Sequence, residues 1–337
     1  FCECVSDLHV GTGHQPRPTP MVLGHEGAGV VESVGSEVEG VRPGDRVVLS
    51  WAPGCGACSS CLRGRPAACL PLRVAVAQGT MLDGSTGLAL RGEPVRRMTS
   101  MGCLSDVCVM PAAAALPLPD AVPLDQAALL GCAALTGVGA ALNAAAIEPG
   151  ASVLVLGAGA VGLFCVQGAR LAGAGTILCV DPLEGRRQEA LALGATHACG
   201  PEELETATRE LTGDGFDSAL DAVGHPETTA TALARVRPLG TACAVGMAAA
   251  GARLDLDPSE LTVREKKLTG SLYGSDDPAR ALPRLLADVA AGRVELARLL
   301  GPVYPLEAID EAVADSLAGN PKRVLVAPSA DLLAASA

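Results

Sequence analysis

The sequence predicts an α/β protein of two domains, one rich in short strands and loops, the other a doubly wound parallel sheet covered by helices. Three observations carry that prediction. The chain has 337 residues, which at about 100–200 residues per domain points to two. Residues 1–125 are rich in Gly, Pro and short Val-containing runs, whereas from Asp125 onward Ala-rich helical stretches alternate with brief apolar runs. Within that second part, an apolar run enters a glycine-spaced turn that opens a helix.

In the first part, Ala28–Val34 and Arg46–Leu49 read as strands separated by the turn signal Pro43-Gly44-Asp45, and a cysteine lobe occupies residues 55–69. In the second, strands are expected at Ser152–Leu156, Thr176–Val180, Ser218–Asp221 and Thr241–Gly246. Helices are expected at Leu163–Ala172, Gly185–Leu193, Pro201–Leu211 and Glu227–Val236. Alternating strands and helices make the sheet parallel, because a parallel crossover needs an intervening helix. Helices at Pro278–Ala291 and Leu306–Ala318 and a last strand at Arg323–Ala327 complete the pattern.

Composition narrows the function classes. Hydrophobic residues make up 49% and charged residues 18%, which is incompatible with a disordered chain. Aromatics are only 2%, too few for a base-stacking platform, and a net charge of −12 without a basic cluster argues against a nucleic-acid partner. The uncharged stretches Gln126–Ile147 and Pro149–Ala169 are long enough to test as membrane spans, but they are Ala/Gly-rich and read as buried elements, so no membrane partner is expected. Of 13 cysteines, six fall where thiolates bind metal and the rest sit singly in apolar contexts, which fits a reducing cytoplasm. The chain opens on Cys2-Glu3-Cys4 with no strand before it, so the start of a domain is expected to be missing.

The glycine-spaced turn is Gly157-Ala158-Gly159-Ala160-Val161-Gly162, preceded by Val153-Leu154-Val155-Leu156. Glycines there permit a tight turn and close approach to a diphosphate, and the helix N-terminus offers unpaired N–H groups. Asp181 ends the next strand, where a carboxylate accepts from both ribose hydroxyls of NAD and repels the 2′-phosphate of NADP. Arg186, just beyond, is placed to approach the ribose, while Arg187 reads as a solvated helix charge. The competing reading is a turn that only packs strand against helix.

Cys55-x2-Cys58-x2-Cys61-x7-Cys69, with Gly54, Gly56 and Gly64 easing the turns, closes a tetrahedron of thiolates around a structural Zn²⁺. Two disulfides or an iron–sulfur cluster are the alternatives. Three further candidates are scattered: His25 in Gly24-His25-Glu26, Cys4 in Cys4-Val5-Ser6-Asp7-Leu8-His9, and Cys132 after Gly131. Periodicity alone cannot bring them together, and each reads equally as a structural residue.

With these motifs the chain resembles the zinc-dependent, medium-chain alcohol dehydrogenases over essentially its whole length. The resemblance rests on Cys4-x-Ser6-Asp7-x-His9, Gly24-His25-Glu26-x-Ala28-Gly29, Pro43-Gly44-Asp45-Arg46-Val47, the four-cysteine lobe, Gly131-Cys132-x-x-x-Thr136-Gly137, and Gly157–Gly162 with Asp181. The insert Gly79-Thr80-Met81-x-Asp83-Gly84 is similar to the long-loop animal- and plant-like branch, which includes thiol-dependent formaldehyde dehydrogenases.

The resemblance implies a GroES-like zinc catalytic domain over residues 1–133 and 273–337 and a Rossmann NAD-binding domain over 134–272. It implies two Zn²⁺ per chain, the second held by Cys4, His25 and Cys132 with an open fourth position, Asp7 orienting His25 and Glu26 close behind the metal. Ser6 and His9 match a relay that carries the alcohol proton outward, and a histidine suits the last step because it titrates near neutrality. Trp51 and Leu104 match the substrate pocket, Thr136 and Val161 residues that press on the nicotinamide, and Arg323 a cofactor-phosphate contact. A homodimer built on Rossmann edge strands is likewise implied. His14, His197 and His225 are left as structural or surface residues. Val5 stands where a basic residue is common, and loss of that charge-assisted contact is expected to weaken NADH binding. The expected activity is hydride transfer between an alcohol, or its aldehyde or ketone, and NAD(H). The alternatives are a dehydrogenase of hydroxymethyl-thiol adducts and a non-catalytic cofactor-binding protein.

Overall fold

The computed structural model describes residue 2, residues 5–318 and residues 322–328. The chain divides into two compact units. One is Phe1–Cys132 with Asp277–Pro283 and Leu296–Ala337; the other is Ala133–Asp276 with Arg284–Glu295.

The first unit begins with helix α1 (Val5–Gly11). Strands β1 (Gly27–Val30), β2 (Arg46–Leu49) and β3 (Ala115–Pro117) form an antiparallel sheet in that order, with Ala28 opposite Val48 and Val48 opposite Leu116. The expected strand Ala28–Val34 stops at Val30 because its partner runs out: Val31 already exchanges hydrogen bonds with Asp45 and Gly44 in the turn, and residues 33–37 are exposed. Between β2 and β3 lie the cysteine lobe and helix α2 (Leu70–Gln78). Helix α3 (Leu124–Ala128) leads out of this segment.

The second unit starts with helix α4 (Ala133–Gly139), extended by a π-helical turn over Ala140–Ala144. There follow β4 (Ser152–Leu156), α5 (Ala160–Leu171), β5 (Thr176–Val180), α6 (Glu184–Ala192), β6 (His197–Cys199), α7 (Leu204–Thr212), β7 (Phe216–Asp221), α8 (Pro226–Arg235), β8 (Val236–Ala244) and β9 (Lys267–Gly270). All six strands run parallel in the order β6-β5-β4-β7-β8-β9. This is the doubly wound sheet that the strand–helix alternation predicts. Val153, Leu154 and Val155 have no exposed surface, the signature of a strand covered on both faces. The order reverses between β4 and β7, and the crevice beyond the strand ends at such a reversal is where nucleotides bind.

Two strands escape the sequence pattern. The outermost strands β6 and β9 each have one neighbour, so neither His197-Ala198-Cys199 nor Lys267-Leu268-Thr269-Gly270 is the apolar run that marks a central strand. Strand β8 begins earlier than expected. Phe216 pairs with Val236 and Ser218 with Thr241, so residues between Val236 and Thr241 bulge, with Leu239 at φ +68°.

Helix α9 (Pro278–Ala290) starts in the first unit and ends in the second. The sequence reading joins residues 284–295 to the catalytic domain. The structure instead ties them to the second unit: the Gln167 amide exchanges two hydrogen bonds with the Glu295 backbone (2.7 and 3.2 Å), and Arg170 donates to the Arg293 carbonyl (2.6 Å). The last elements, β10 (Leu300–Pro305), α10 (Ile309–Leu317) and β11 (Arg323–Ala327), return to the first unit and bury Ala312, Val324 and Val326. Among the described residues no single helix is long and apolar enough to cross a membrane, and the uncharged stretch 126–147 folds as short helices whose side chains are mostly buried.

Candidate functional site

Three distant segments of the first unit meet around His25. Helix α1 supplies Asp7, which is buried. Its Oδ1 accepts the Gly24 N–H (2.8 Å) and its Oδ2 lies 3.0 Å from His25 Nδ1. A carboxylate oxygen has no hydrogen to give, so its place beside Nδ1 favours the tautomer that carries the hydrogen on that nitrogen. In that tautomer Nε2 is the nitrogen that could bind a metal. Gly24 has to be glycine: its φ is +96° and a Cβ would lie 2.5 Å from the Leu104 nitrogen.

The second segment arrives through Gly131. A Cβ there would stand 2.8 Å from the Leu49 carbonyl and 3.4 Å from the Gly27 backbone, so the chain passes against β1 and β2 at their ends. Cys132, half-buried, is thereby delivered beside the strand that follows His25, and Trp51 lies two residues beyond Leu49. The third segment arrives through Cys2, whose N–H donates to the Glu26 carbonyl (2.9 Å) and which bridges to Leu325. Cys4, two residues later, lies outside the described residues.

Glu26 has no exposed surface and pairs with Arg323 at 3.5 Å. The resemblance puts Arg323 on a cofactor phosphate; in the structure it pairs with this buried carboxylate. Leu104, assigned to the substrate pocket, packs against the cluster of Ala312, Val324 and Val326. Ser6 and His9 lie one turn apart on α1 and therefore on one face.

In the cysteine lobe, the four sulfurs of Cys55, Cys58, Cys61 and Cys69 all lie within 4.8 Å of one another. Gly54, at φ +65°, lets the chain pass Cys61 Sγ, which a Cβ would approach to 2.9 Å. Backbone N–H groups are aimed at the sulfurs. Those of Ala57 and Cys58 draw the Cys55 thiol below its ordinary pKa, and that of Cys61 draws Cys58 down to about 6. Burial pushes Cys61 upward and Cys69 up to about 12. Cys55 and Cys58 are thus drawn toward the thiolate, while Cys61 and Cys69 are held toward the thiol and ionise more readily against a cation. Four sulfurs and no vacant corner fit a structural zinc.

In the second unit, the glycines separate into two kinds. Gly157 is at φ +89°, where a Cβ would lie 2.8 Å from the Val223 side chain, and a Cβ on Gly162 would collide with the Gly157 carbonyl. Their absence of side chain is explained by the protein's own packing. Gly159, which caps α5, has nothing within 4 Å of its Cβ position. The space above it suits a diphosphate at the helix N-terminus. Asp181 is buried at the end of β5; its Oδ2 accepts the Ala158 N–H (2.8 Å), its Oδ1 the Leu183 N–H (2.9 Å), and Arg186 lies 3.9 Å away. Arg187 instead holds the carbonyls of Asp181 and Pro182. Gly137, the residue after Thr136, brings α4 onto α5, since a Cβ there would lie 2.8 Å from the Cys165 nitrogen and also strike the Val161 carbonyl.

One feature of the first unit was not singled out by sequence. His14 stacks on His9, ring centroids 5.4 Å apart. The signal available was Thr12-Gly13, a helix stop that turns the chain back over the helix end.

Comparison with known proteins gives matches at both ends of this architecture. The family description "Alcohol dehydrogenase GroES-like domain" matches residues 2–120, and "Zinc-binding dehydrogenase" matches residues 160–291. The Mycobacterium tuberculosis protein "Putative alcohol dehydrogenase D" is 36% identical over 317 residues, covering 93% of this chain and 86% of its own length. The crystal structure of benzyl alcohol dehydrogenase from Acinetobacter calcoaceticus is similar at 30% identity and a TM-score of 0.89, over 97% of this chain and 89% of that one. A Sinorhizobium meliloti 1021 structure bound to NADP is similar at 26% identity and a TM-score of 0.79, over 97% of this chain and 90% of that one.

Proposed function

We propose that this chain, which belongs to the zinc-binding medium-chain alcohol dehydrogenase family, transfers hydride between an alcohol, or its aldehyde or ketone, and NAD(H). The observation that carries the reading is the meeting of the Cys2, His25 and Gly131 segments, with Asp7 buried beside His25 Nδ1. Cys4, His25 and Cys132 would hold a catalytic zinc. The zinc would polarise a substrate oxygen, and the nicotinamide would supply or accept the hydride.

The chain's own residues do the rest. Asp7 keeps the His25 tautomer, and the buried Glu26–Arg323 pair braces the residue next to it. Ser6 Oγ accepts the hydroxyl proton as it passes its own on toward His9, on the same face of α1, and His9 releases a proton outward. Gly157 and Gly162 close the turn that brings the diphosphate to Gly159, Asp181 with Arg186 takes the adenosine ribose, and Thr136 and Val161 support the nicotinamide. Asp181 is the reason to favour NAD over NADP. Its carboxylate retains lone pairs beyond those given to Ala158 and Leu183. We further place the protein in the reducing cytoplasm, as a homodimer paired along the outer edge of β9.

The test is a panel of alcohols and aldehydes with NAD(H) and NADP(H), with zinc determined on the same preparation. Two zinc per chain and NAD reduction by at least one alcohol are expected. Formaldehyde oxidation that requires a low-molecular-weight thiol would assign the long-loop, thiol-dependent branch. Two zinc and no turnover across the panel would sink the dehydrogenase reading in favour of a non-catalytic cofactor-binding protein.

A further inference from the structure

The C-terminal end of α1 folds back on itself. The Thr12 N–H and hydroxyl both donate to the Leu8 carbonyl (2.8 Å each), the Gly13 N–H to Val10 (3.2 Å) and the Gln15 N–H to His9 (2.9 Å). Gly13, at φ +80°, supplies the left-handed residue of the cap. This return lays the exposed His14 ring over the half-buried His9 ring, centroids 5.4 Å apart and planes inclined by 30°.

The tautomer of His14 follows from the same bonds. Thr12 Oγ1 lies 2.9 Å from His14 Nδ1, and its own hydrogen is committed to Leu8. The oxygen therefore accepts, Nδ1 carries the hydrogen, and Nε2 is the basic nitrogen. Every capping bond is made by the backbone or by Thr12. The His14 ring contributes none of them, so the cap does not account for it.

We propose that His14 is a positioning residue for proton exit: its tethered ring is a platform that holds the His9 imidazole in one orientation at the end of the relay. The proposal rests on the reading that His9 carries the alcohol proton. His9 makes a further contact besides the stack, and the His14 ring adds to it in selecting among the His9 rotamers. General acid–base transfer requires a defined nitrogen within hydrogen-bond reach. Stacking on a fixed ring biases that choice, and the bias should appear as a loss of about threefold to tenfold in turnover when the platform is removed. The other ionisable group placed on this helix, Asp7, is engaged with Gly24 and His25.

The experiment uses the zinc-loaded protein and the variants His14→Ala, His14→Phe, His9→Gln and the double variant His9→Gln/His14→Ala. Turnover is followed from pH 6 to pH 9, with histidine ring NMR spectra alongside. His14→Ala should lose about threefold to tenfold below neutrality and little near pH 9, where hydroxide takes the proton directly. His14→Phe, which keeps a stacking ring, should stay within about twofold of the parent. The double variant should match His9→Gln, and the His9 ring resonances should move in His14→Ala. A loss equal at every pH, an additive double variant, or Phe as damaging as Ala in an otherwise active protein would overturn the proposal and leave the dehydrogenase reading standing. Unchanged His9 resonances in His14→Ala would overturn it without reference to activity. A parent that turns over no alcohol or aldehyde would remove the relay reading itself, and the proposal with it.

Discussion

Replacing Asp7 separates two effects that usually travel together. The carboxylate accepts the Gly24 N–H at 2.8 Å and faces His25 Nδ1 at 3.0 Å. In Asp7→Asn the amide has one accepting oxygen, and the buried Gly24 N–H claims it. The NH2 group must then face His25 Nδ1, so Nδ1 becomes the acceptor and the imidazole hydrogen moves to Nε2, the nitrogen that would bind the proposed zinc. In Asp7→Ala the imidazole chooses either tautomer, but the Gly24 N–H loses its acceptor. Stability should therefore fall more in Ala than in Asn, by about 1–3 kcal/mol for the orphaned donor. Zinc affinity should fall in the opposite order. Loss of an outer carboxylate costs about tenfold to hundredfold, ~1.4–2.7 kcal/mol, with Asn at the upper end because its tautomer is wrong. Chelator competition with a chromogenic zinc indicator reads the affinity of the weaker site, and thermal unfolding reads stability. If both variants bind two zinc ions like the parent, or if Asn binds zinc better than Ala, the tautomer argument is refuted.

Other outcomes follow from the same geometry. Asp181→Ser should lower kcat/KM for NAD by about tenfold to hundredfold and narrow its preference over NADP, because a charge-assisted ribose contact is lost; steady-state kinetics with both cofactors decide it. Asp217 carries a pH-dependent share of stability. Burial works to raise its pKa, but the N–H and hydroxyl of Ser152 (2.7 Å each) and the Arg237 guanidinium outweigh it and hold the carboxyl below its ordinary range. A lowered folded-state pKa stabilises above the unfolded value and is lost as pH falls through the folded one. The melting-temperature gap between the parent and Asp217→Asn should persist at neutral pH and close below about pH 4. Cys61→Ser should remove one zinc per chain by metal analysis while leaving the Gly157–Gly162 turn able to bind NADH, since the lobe and the turn belong to different units. Val5→Arg should tighten NADH about fivefold to hundredfold in a fluorescence titration, and no change would dismiss the departure at Val5 as a cause of weak binding.

Much of the second unit is legible in the residues. Ser152–Leu156 and Thr176–Val180 fall where the apolar runs put them because central parallel strands are buried on both faces and need unbroken Val, Leu and Ile. The edge strands β6 and β9 were not, because a strand with one neighbour need not be apolar throughout. The cysteine lobe was equally plain, since all four ligands come from one short loop. Helix α1 was not: seven residues with a histidine near its end carry too little periodicity, and its role depends on contacts with Gly24 and His25.

Local order in the chain thus determined what a few consecutive residues can decide between themselves: the glycine turn, the four-sulfur lobe and the alternation of strand and helix. Tertiary structure alone decided which carboxylate faces His25, that Gly131 passes against Leu49 and Gly27, and that Arg323 meets Glu26. Those pairings join residues far apart in sequence, and the close backbone approaches at Gly24 and Gly131 that accompany two of them are encoded by no pattern of neighbours.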